Sequence, residues 1–138
     1  MKIKVKLDDG AYLPERAHGT DAGADIRTPE KVELRPRGCA IVRTGVHVQL
    51  PPCTVGMLKS KSGINVKRGV VGEGVIDEGY DGEIVVKLYN MSDSPVVFRK
   101  GDKVIQLVVM PVCYPEYEQA SEILGGERGS DGFGSTGR

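Results

Sequence analysis

The sequence predicts an all-β fold, a sandwich or barrel of short strands carrying one short helix, and three observations lead there. Apolar residues alternate with polar ones in several runs, the period of a half-buried strand. Turn-forming clusters such as Leu50-Pro51-Pro52 and Lys100-Gly101-Asp102 separate those runs. No segment sustains a long helical period.

Taken in order, Ile3, Val5 and Leu7 alternate with lysines and predict the first strand. Cys39 to Arg43 is β-prone, and Val46, Val48 and Leu50 alternate with more polar neighbours. Thr54 to Leu58 is the next run, followed by the single helix candidate, Ser62 to Arg68, with Ser62 as N-cap and Gly69 just past the C-terminus. Ile84, Val86 and Leu88 alternate within a strand over Glu83 to Tyr89, and Val96 to Arg99 and Lys103 to Val112 complete the set. From about Glu122 the apolar pattern fades into Gly-Gly-Glu-Arg-Gly-Ser-Asp-Gly-Phe-Gly-Ser-Thr-Gly-Arg, which has almost nothing to bury and is expected to be disordered alone. The chain therefore divides into a β body, 1–121, and a flexible glycine-rich arm, 122–138.

At 138 residues the chain suits one domain with a real core. Its formal net charge of zero and dispersed charges argue against a nucleic-acid footprint or a membrane-binding face. Cys39, Cys53 and Cys113 are odd in number, far apart and without Cys-x-x-Cys spacing. They read as buried reduced thiols, which points to a cytoplasmic protein. The amino terminus, Met1 to Leu7, has no continuous apolar run, so neither a secretory signal nor a membrane span is expected there.

Three segments offer chemistry. Lys59-Ser60-Lys61-Ser62-Gly63 joins a strand to the short helix, so hydroxyls, ammoniums and free helical amides converge, which suits an oxyanion such as phosphate. A capped helix with two solvated lysines explains the same residues equally well. Val75-Ile76-Asp77-Glu78-Gly79-Tyr80-Asp81-Gly82, preceded by Gly72-x-Gly74, reads as a hairpin that lets another molecule approach its backbone. There, backbone groups can imitate a base's pairing partner, Tyr80 can lie against a sugar and Asp77 can accept a proton from water. An ordinary turn with Asp77 capping amides and Tyr80 in the core is the alternative. In the arm, Arg128 can grip a phosphate, Phe133 can stack on a base, and the Gly134-Ser135-Thr136 stretch can donate to phosphate oxygens. A solvated terminus is the alternative there.

These runs, in this order, resemble the five motifs of the homotrimeric dUTPase family and together span nearly the whole chain. The first motif looks like Ala22-Gly23-Ala24-Asp25-Ile26, the second like Lys59 to Gly63, the third like Gly74 to Gly82, the fourth like Gly101 to Leu107, and the fifth like Arg128 to Gly137. The resemblance implies a jelly-roll-like distorted β-barrel, a homotrimer with shared active sites, and an arm that closes over a neighbour's pocket. It implies Mg²⁺-dependent hydrolysis of dUTP to dUMP and pyrophosphate, which limits uracil incorporation into DNA and supplies dUMP for thymidylate synthesis. In that scheme Asp77 deprotonates the attacking water, and Gly74, Val75 and Ile76 bind uracil through the hairpin backbone. Tyr80 underlies the deoxyribose. Lys61, Ser62, Gly63 and Gln106 meet phosphates, Arg128 the terminal ones, while Phe133, Gly134, Ser135 and Thr136 close the site. Asp25 holds Mg²⁺ indirectly, through water. The second motif departs from the family's usual Pro-Arg-Ser-Gly, because Lys61 puts a point charge where a planar fork is usual. A dCTP deaminase of related fold and a non-catalytic nucleotide-binding module are the competing readings. The first generally has a longer chain with its own deamination residues, and the second should have lost the Asp77 base or the arm.

Overall fold

The computed structural model describes residues 1–123, 125 and 126. Among them form ten strands and one helix: β1 (Lys4–Leu7), β2 (Gly23–Arg27), β3 (Val32–Leu34), β4 (Cys39–Arg43), β5 (Val46–Gln49), β6 (Thr54–Lys59), α1 (Ser62–Arg68), β7 (Val70–Ile76), β8 (Val85–Asn90), β9 (Val96–Phe98) and β10 (Lys103–Pro111). All strand pairs are antiparallel. A six-stranded sheet in the order β2-β10-β6-β7-β8-β4 is flanked by the ribbons β1-β5 and β3-β9. The result is the expected all-β, jelly-roll-like fold with a single short helix.

The alternating runs bury what their period predicts. Val46, Val48 and Leu50, then Ile84, Val86 and Leu88, all lie in the core with Ile26, Leu34, Leu58, Phe98 and Ile105. Asn90, also buried, ties this centre together: its amide nitrogen donates to the carbonyls of Arg35 (3.0 Å) and Ser94 (2.8 Å), and its oxygen accepts from Ser92. Its hydrogen-bonding capacity is thus used on two chain segments that would otherwise leave polar groups in an apolar interior.

Three strands were not expected. β2 is buried along most of its length and contains glycine, alanine and a carboxylate instead of alternating apolar residues. β3 has only three residues, and β7 carries glycines at 72 and 74 that argue locally against a strand. The helix starts one residue away from the expected cap. Lys61 is the N-cap, extended at φ −73° and ψ 127°, with its carbonyl accepting from the amides of Ile64 (3.1 Å) and Asn65 (2.9 Å), and Ser62 is the first helical residue. The hydroxyl of Ser60, bonded to the carbonyl (3.0 Å) and amide (2.9 Å) of Gly72, pins the end of β6 and sets where the turn begins. Gly69 closes the helix as expected, in the left-handed region at φ 64°, with its amide bonded to Asn65 (2.9 Å).

Cys39, Cys53 and Cys113 are free thiols, but all three are exposed, not buried. Cys39 starts the edge strand β4 on its outward side, Cys53 occupies a left-handed turn at φ 57°, and Cys113 lies beyond the end of β10. No helix among the described residues is long and apolar enough to cross a membrane. The arm residues Arg128, Phe133, Gly134, Ser135 and Thr136 lie outside the described residues.

Candidate functional site

The wide sheet brings the first, second and fourth sequence runs together. Asp25 on β2 stands opposite Gln106 on β10, which stands opposite Lys59 on β6, which stands opposite Glu73 on β7, so one row crosses four strands. Gln106 donates from Nε2 to the Ser60 carbonyl at 3.1 Å. Its side chain lies over Gly23, where an added Cβ would fall 2.3 Å from Oε1. Only a residue without a side chain leaves Gln106 in that place.

Asp25 is the charged centre of this cluster. Its side chain is only 7% exposed, and it is bracketed by the Lys61 ammonium on one oxygen and the Lys103 ammonium, 2.7 Å away, on the other. Burial pushes its pKa up, but the hydrogen bonds and charges of Lys103 and Lys61 together hold it below the usual carboxylate range. The stabilisation from this ionised carboxylate is present above its ordinary pKa of 3.8 and is lost as pH falls through the lower folded value. Asp25→Asn keeps the shape but strands two ammoniums. It should destabilise the fold by about 2–3 kcal/mol at neutral pH, the low end for a buried pair because both lysines reach solvent. Denaturant titrations should show the gap between variant and native protein narrowing as pH falls below 3.8 towards the lower folded value of Asp25.

The third run forms a different structure. Strands β7 and β8 pair only over Val70–Gly72 with Leu88–Asn90, and β7 then continues alongside β6 while the chain from Asp77 to Ile84 loops away. The amide and carbonyl of Gly72 both face β6, where they bond Ser60. Since successive residues of a strand turn their amide and carbonyl to opposite edges, Val75 presents its pair to the edge that β8 has left. Gly74, Val75 and Ile76 are thus strand residues beside an open edge, not parts of a turn.

Beyond that edge the loop is held by specific bonds. The Tyr80 amide donates to the Asp77 carbonyl (3.2 Å) and the Tyr80 hydroxyl to the Glu83 carbonyl (3.0 Å). Tyr80 remains 47% exposed, so it is not a core residue, and a Cβ at Gly82 would strike its ring and hydroxyl at 2.4–2.9 Å. Asp77 is exposed, and its carboxylate forms no hydrogen bond or ion pair among the described residues.

Within one chain the two groups do not meet. Ile76 stands opposite Gly56 at one end of the β6–β7 pairing, and Lys61 follows Lys59 at the other. Gly56 and Ser60 are separated by about 13 Å of strand. Asp77 lines a cleft with Thr54, Val112 and Tyr114, whereas Lys61 lines another with Lys103, Arg68 and Asp102. Ser62 and Gly63 open α1 beside the second cleft, and a Cβ at Gly63 would meet nothing within 4 Å.

Several contributing residues escaped the sequence reading. Lys103 was part of a recognised run but was read as an ordinary strand residue, and only the β2–β10 pairing places it on Asp25. Glu78 accepts from the Cys53 amide at 2.7 Å and from the Tyr114 hydroxyl, which anchors the loop from two distant segments. Nothing in the local sequence signals that contact.

The donor set suits a divalent ion only in a limited way. No group of three or more His, Cys, Asp or Glu residues among those described could enclose a cation, and both oxygens of Asp25 already face lysines. Such a set does not fit a resident metal. It fits an ion that arrives on phosphates and needs one carboxylate at the distance of a water.

Fold and cluster define an antiparallel β-barrel with a cationic pocket at one end of a central strand and an open, backbone-lined edge at the other. Comparison with known proteins makes that class specific. A family model described as dUTPase matches residues 9–137. The deoxyuridine 5'-triphosphate nucleotidohydrolase of Clostridium acetobutylicum is 38% identical over 140 residues, covering 99% of this chain and 96% of that protein. Its counterpart from Mycobacterium bovis is 42% identical over 142 residues, covering 96% and 92%. Among solved structures, a Staphylococcus bacteriophage 80alpha dUTPase with dUpNHpp superposes with a TM-score of 0.92 at 34% identity, covering 99% of each chain. A variant of the dUTPase from phage phi11 of S. aureus, solved with a structural Mg(II) ion, gives 0.82 at 32% identity, covering 88% of this chain and 98% of that one. The chain belongs to the dUTPase family.

Proposed function

We propose that the chain hydrolyses dUTP to dUMP and pyrophosphate. The observation that carries this reading is the open edge of β7, with Val75 presenting an amide and a carbonyl two residues before Asp77, at the head of the loop that carries Tyr80. An amide–carbonyl pair matches the pairing face of uracil, and a backbone slot has no side chain to adapt to larger bases. Tyr80, fixed through Glu83, provides a flat surface for the deoxyribose, and its closeness to Gly82 leaves little room for a 2′-hydroxyl. Asp77 takes a proton from water, the water oxygen attacks the α-phosphorus in line, and pyrophosphate leaves.

Lys61, Ser62, Gly63 and Gln106 lie in the other cluster and receive the phosphates. Because that cluster and the Asp77 loop stand at opposite ends of β6, one chain does not complete the pocket. A homotrimer in which one subunit's loop meets another's cluster resolves this, with the arm residues Arg128, Phe133, Gly134, Ser135 and Thr136 closing over the bound nucleotide. Asp25 would hold a Mg²⁺ ion carried on the triphosphate indirectly, through water, and the ion would supply charge neutralisation of the phosphates. Lys103, still on Asp25, keeps that carboxylate ionised and aimed. The activity would limit uracil incorporation into DNA and supply dUMP for thymidylate synthesis, in the cytoplasm.

The direct test is pyrophosphate release with Mg²⁺ from dUTP, dTTP, dCTP and UTP in parallel. Turnover of dUTP should exceed the others by at least about a hundredfold, the range set by a site whose buried polar groups go unpaired with the wrong base. Comparable turnover of dCTP or UTP would refute the specificity assigned to β7 and Tyr80.

A further inference from the structure

The geometry points to His47 as a positioning residue that, as an imidazolium, ties the Tyr80–Gly82 loop to the β1–β5 ribbon and weakens its hold on nucleotide when it deprotonates. His47 sits on β5 opposite Lys6, in a half-buried position. Its Nδ1 is 2.9 Å from the Asp81 carbonyl oxygen, and its Nε2 is 3.1 Å from Oδ2 of Asp8. Both partners can only accept. A neutral imidazole has one N–H, so the two bonds coexist only in the doubly protonated ring. Loss of that proton sets a nitrogen lone pair against either the carbonyl or the carboxylate, and the bridge from Asp8 to Asp81 opens at one end.

Asp81 lies between Tyr80 and Gly82, so this bond bears on the residues assigned to the sugar. A third cleft, of about 590 Å³, is lined by Lys4, Lys6, His47, Tyr80 and Asp81, so the link runs along the wall of a cavity that Tyr80 shares. The charged groups acting on the ring are Asp8, which favours the imidazolium, and Lys6 on β1, which opposes it, while Lys4 and Asp81 line the cleft nearby. Glu83 is engaged elsewhere, with the Gly45 amide (2.9 Å) and Arg43. The Asp81 carbonyl first, and then Asp8, raise the His47 pKa above its ordinary 6.5, against burial and Lys6. A raised pKa means that the bridge is complete below pH 6.5 and is lost as pH climbs through the higher folded value.

The inference rests on the dUTPase reading for its functional consequence but not for its structural one, and two measurements separate these. In the native protein, the backbone amides of Asp81 and Gly82 should shift in NMR spectra with the same midpoint as the His47 ring, and His47→Gln should abolish that titration. Amides that ignore the His47 midpoint overturn the proposal whatever the substrate. In kinetics, the KM for dUTP should rise about five- to tenfold across the His47 midpoint while kcat changes less. His47→Gln should hold the high-pH KM throughout, and since the nucleotide's own titration is common to both proteins, the ratio of their KM values isolates the histidine. An unchanged ratio between pH 6 and 9 overturns the proposal, whereas absence of dUTP turnover in the native protein refutes the proposed function and leaves the amide titration to decide.

Discussion

Asp77→Asn retains dUTP but lowers kcat by about 10²–10⁴-fold, the usual contribution of a positioned general base. Asparagine reproduces the shape and the polarity of aspartate and removes only the ability to take a proton. Asp77 lies just past the end of β7 at an exposed position, and its carbonyl, not its carboxylate, accepts the Tyr80 amide at 3.2 Å. The substitution therefore leaves the loop's internal bond intact, and the melting temperature should not move. Calorimetric binding of dUTP to the variant should fall within a few-fold of the native value, with pyrophosphate release reporting the lost rate. Normal turnover would remove Asp77 from the mechanism, and loss of binding would give it a role in substrate capture instead.

Deleting residues 128–138 has the second largest expected effect. Among the described residues the core extends from Ile26 to Leu107 and every strand ends by Pro111, so the body is expected to fold without the deleted residues. Ordering about ten residues opposes closure by on the order of 10 kcal/mol, and charge-assisted bonds of about 1.5–3 kcal/mol each, with stacking by Phe133, must offset it. If Arg128 grips the terminal phosphates as proposed, removing it alone forfeits at least one such bond. The whole deletion should thus lower kcat/KM by about a hundredfold or more, with melting temperature and oligomeric state unchanged. Full activity in the truncated protein would show that the arm does not close the site, and an unfolded product would make it part of the body.

The sequence made the alternating strands legible because one face of each is buried, and a period of two follows from that alone. Val46, Val48 and Leu50, and Ile84, Val86 and Leu88, were found for this reason. β2 and β7 stayed hidden because partner residues, not their own propensity, make them strands. Gly72 is required because a Cβ there would meet Leu88 Cδ2 at 2.7 Å, a tertiary contact that nothing in the sequence around Gly72 signals. The cysteines misled because chemistry suited to a reducing compartment says nothing about exposure. At the site, Asp77, Tyr80 and Lys61 were legible as residue types in recognisable runs. That Asp25 would lie between Lys61 and Lys103, and that Asp77 would be a strand's length from all three, depends on pairings between distant segments.

The neighbour of β2 in the wide sheet is β10, so the Asp25–Gln106 pairing joins the early and late parts of the chain. A ribosome has nearly finished the body before Lys103 and Gln106 become available, and until then Asp25 has neither its second ammonium nor its neighbouring strand. Such a non-local closure is slow compared with hairpin formation. The cationic cluster is consequently completed late in folding, since only its Lys61–Asp25 pair lies within the earlier part of the chain.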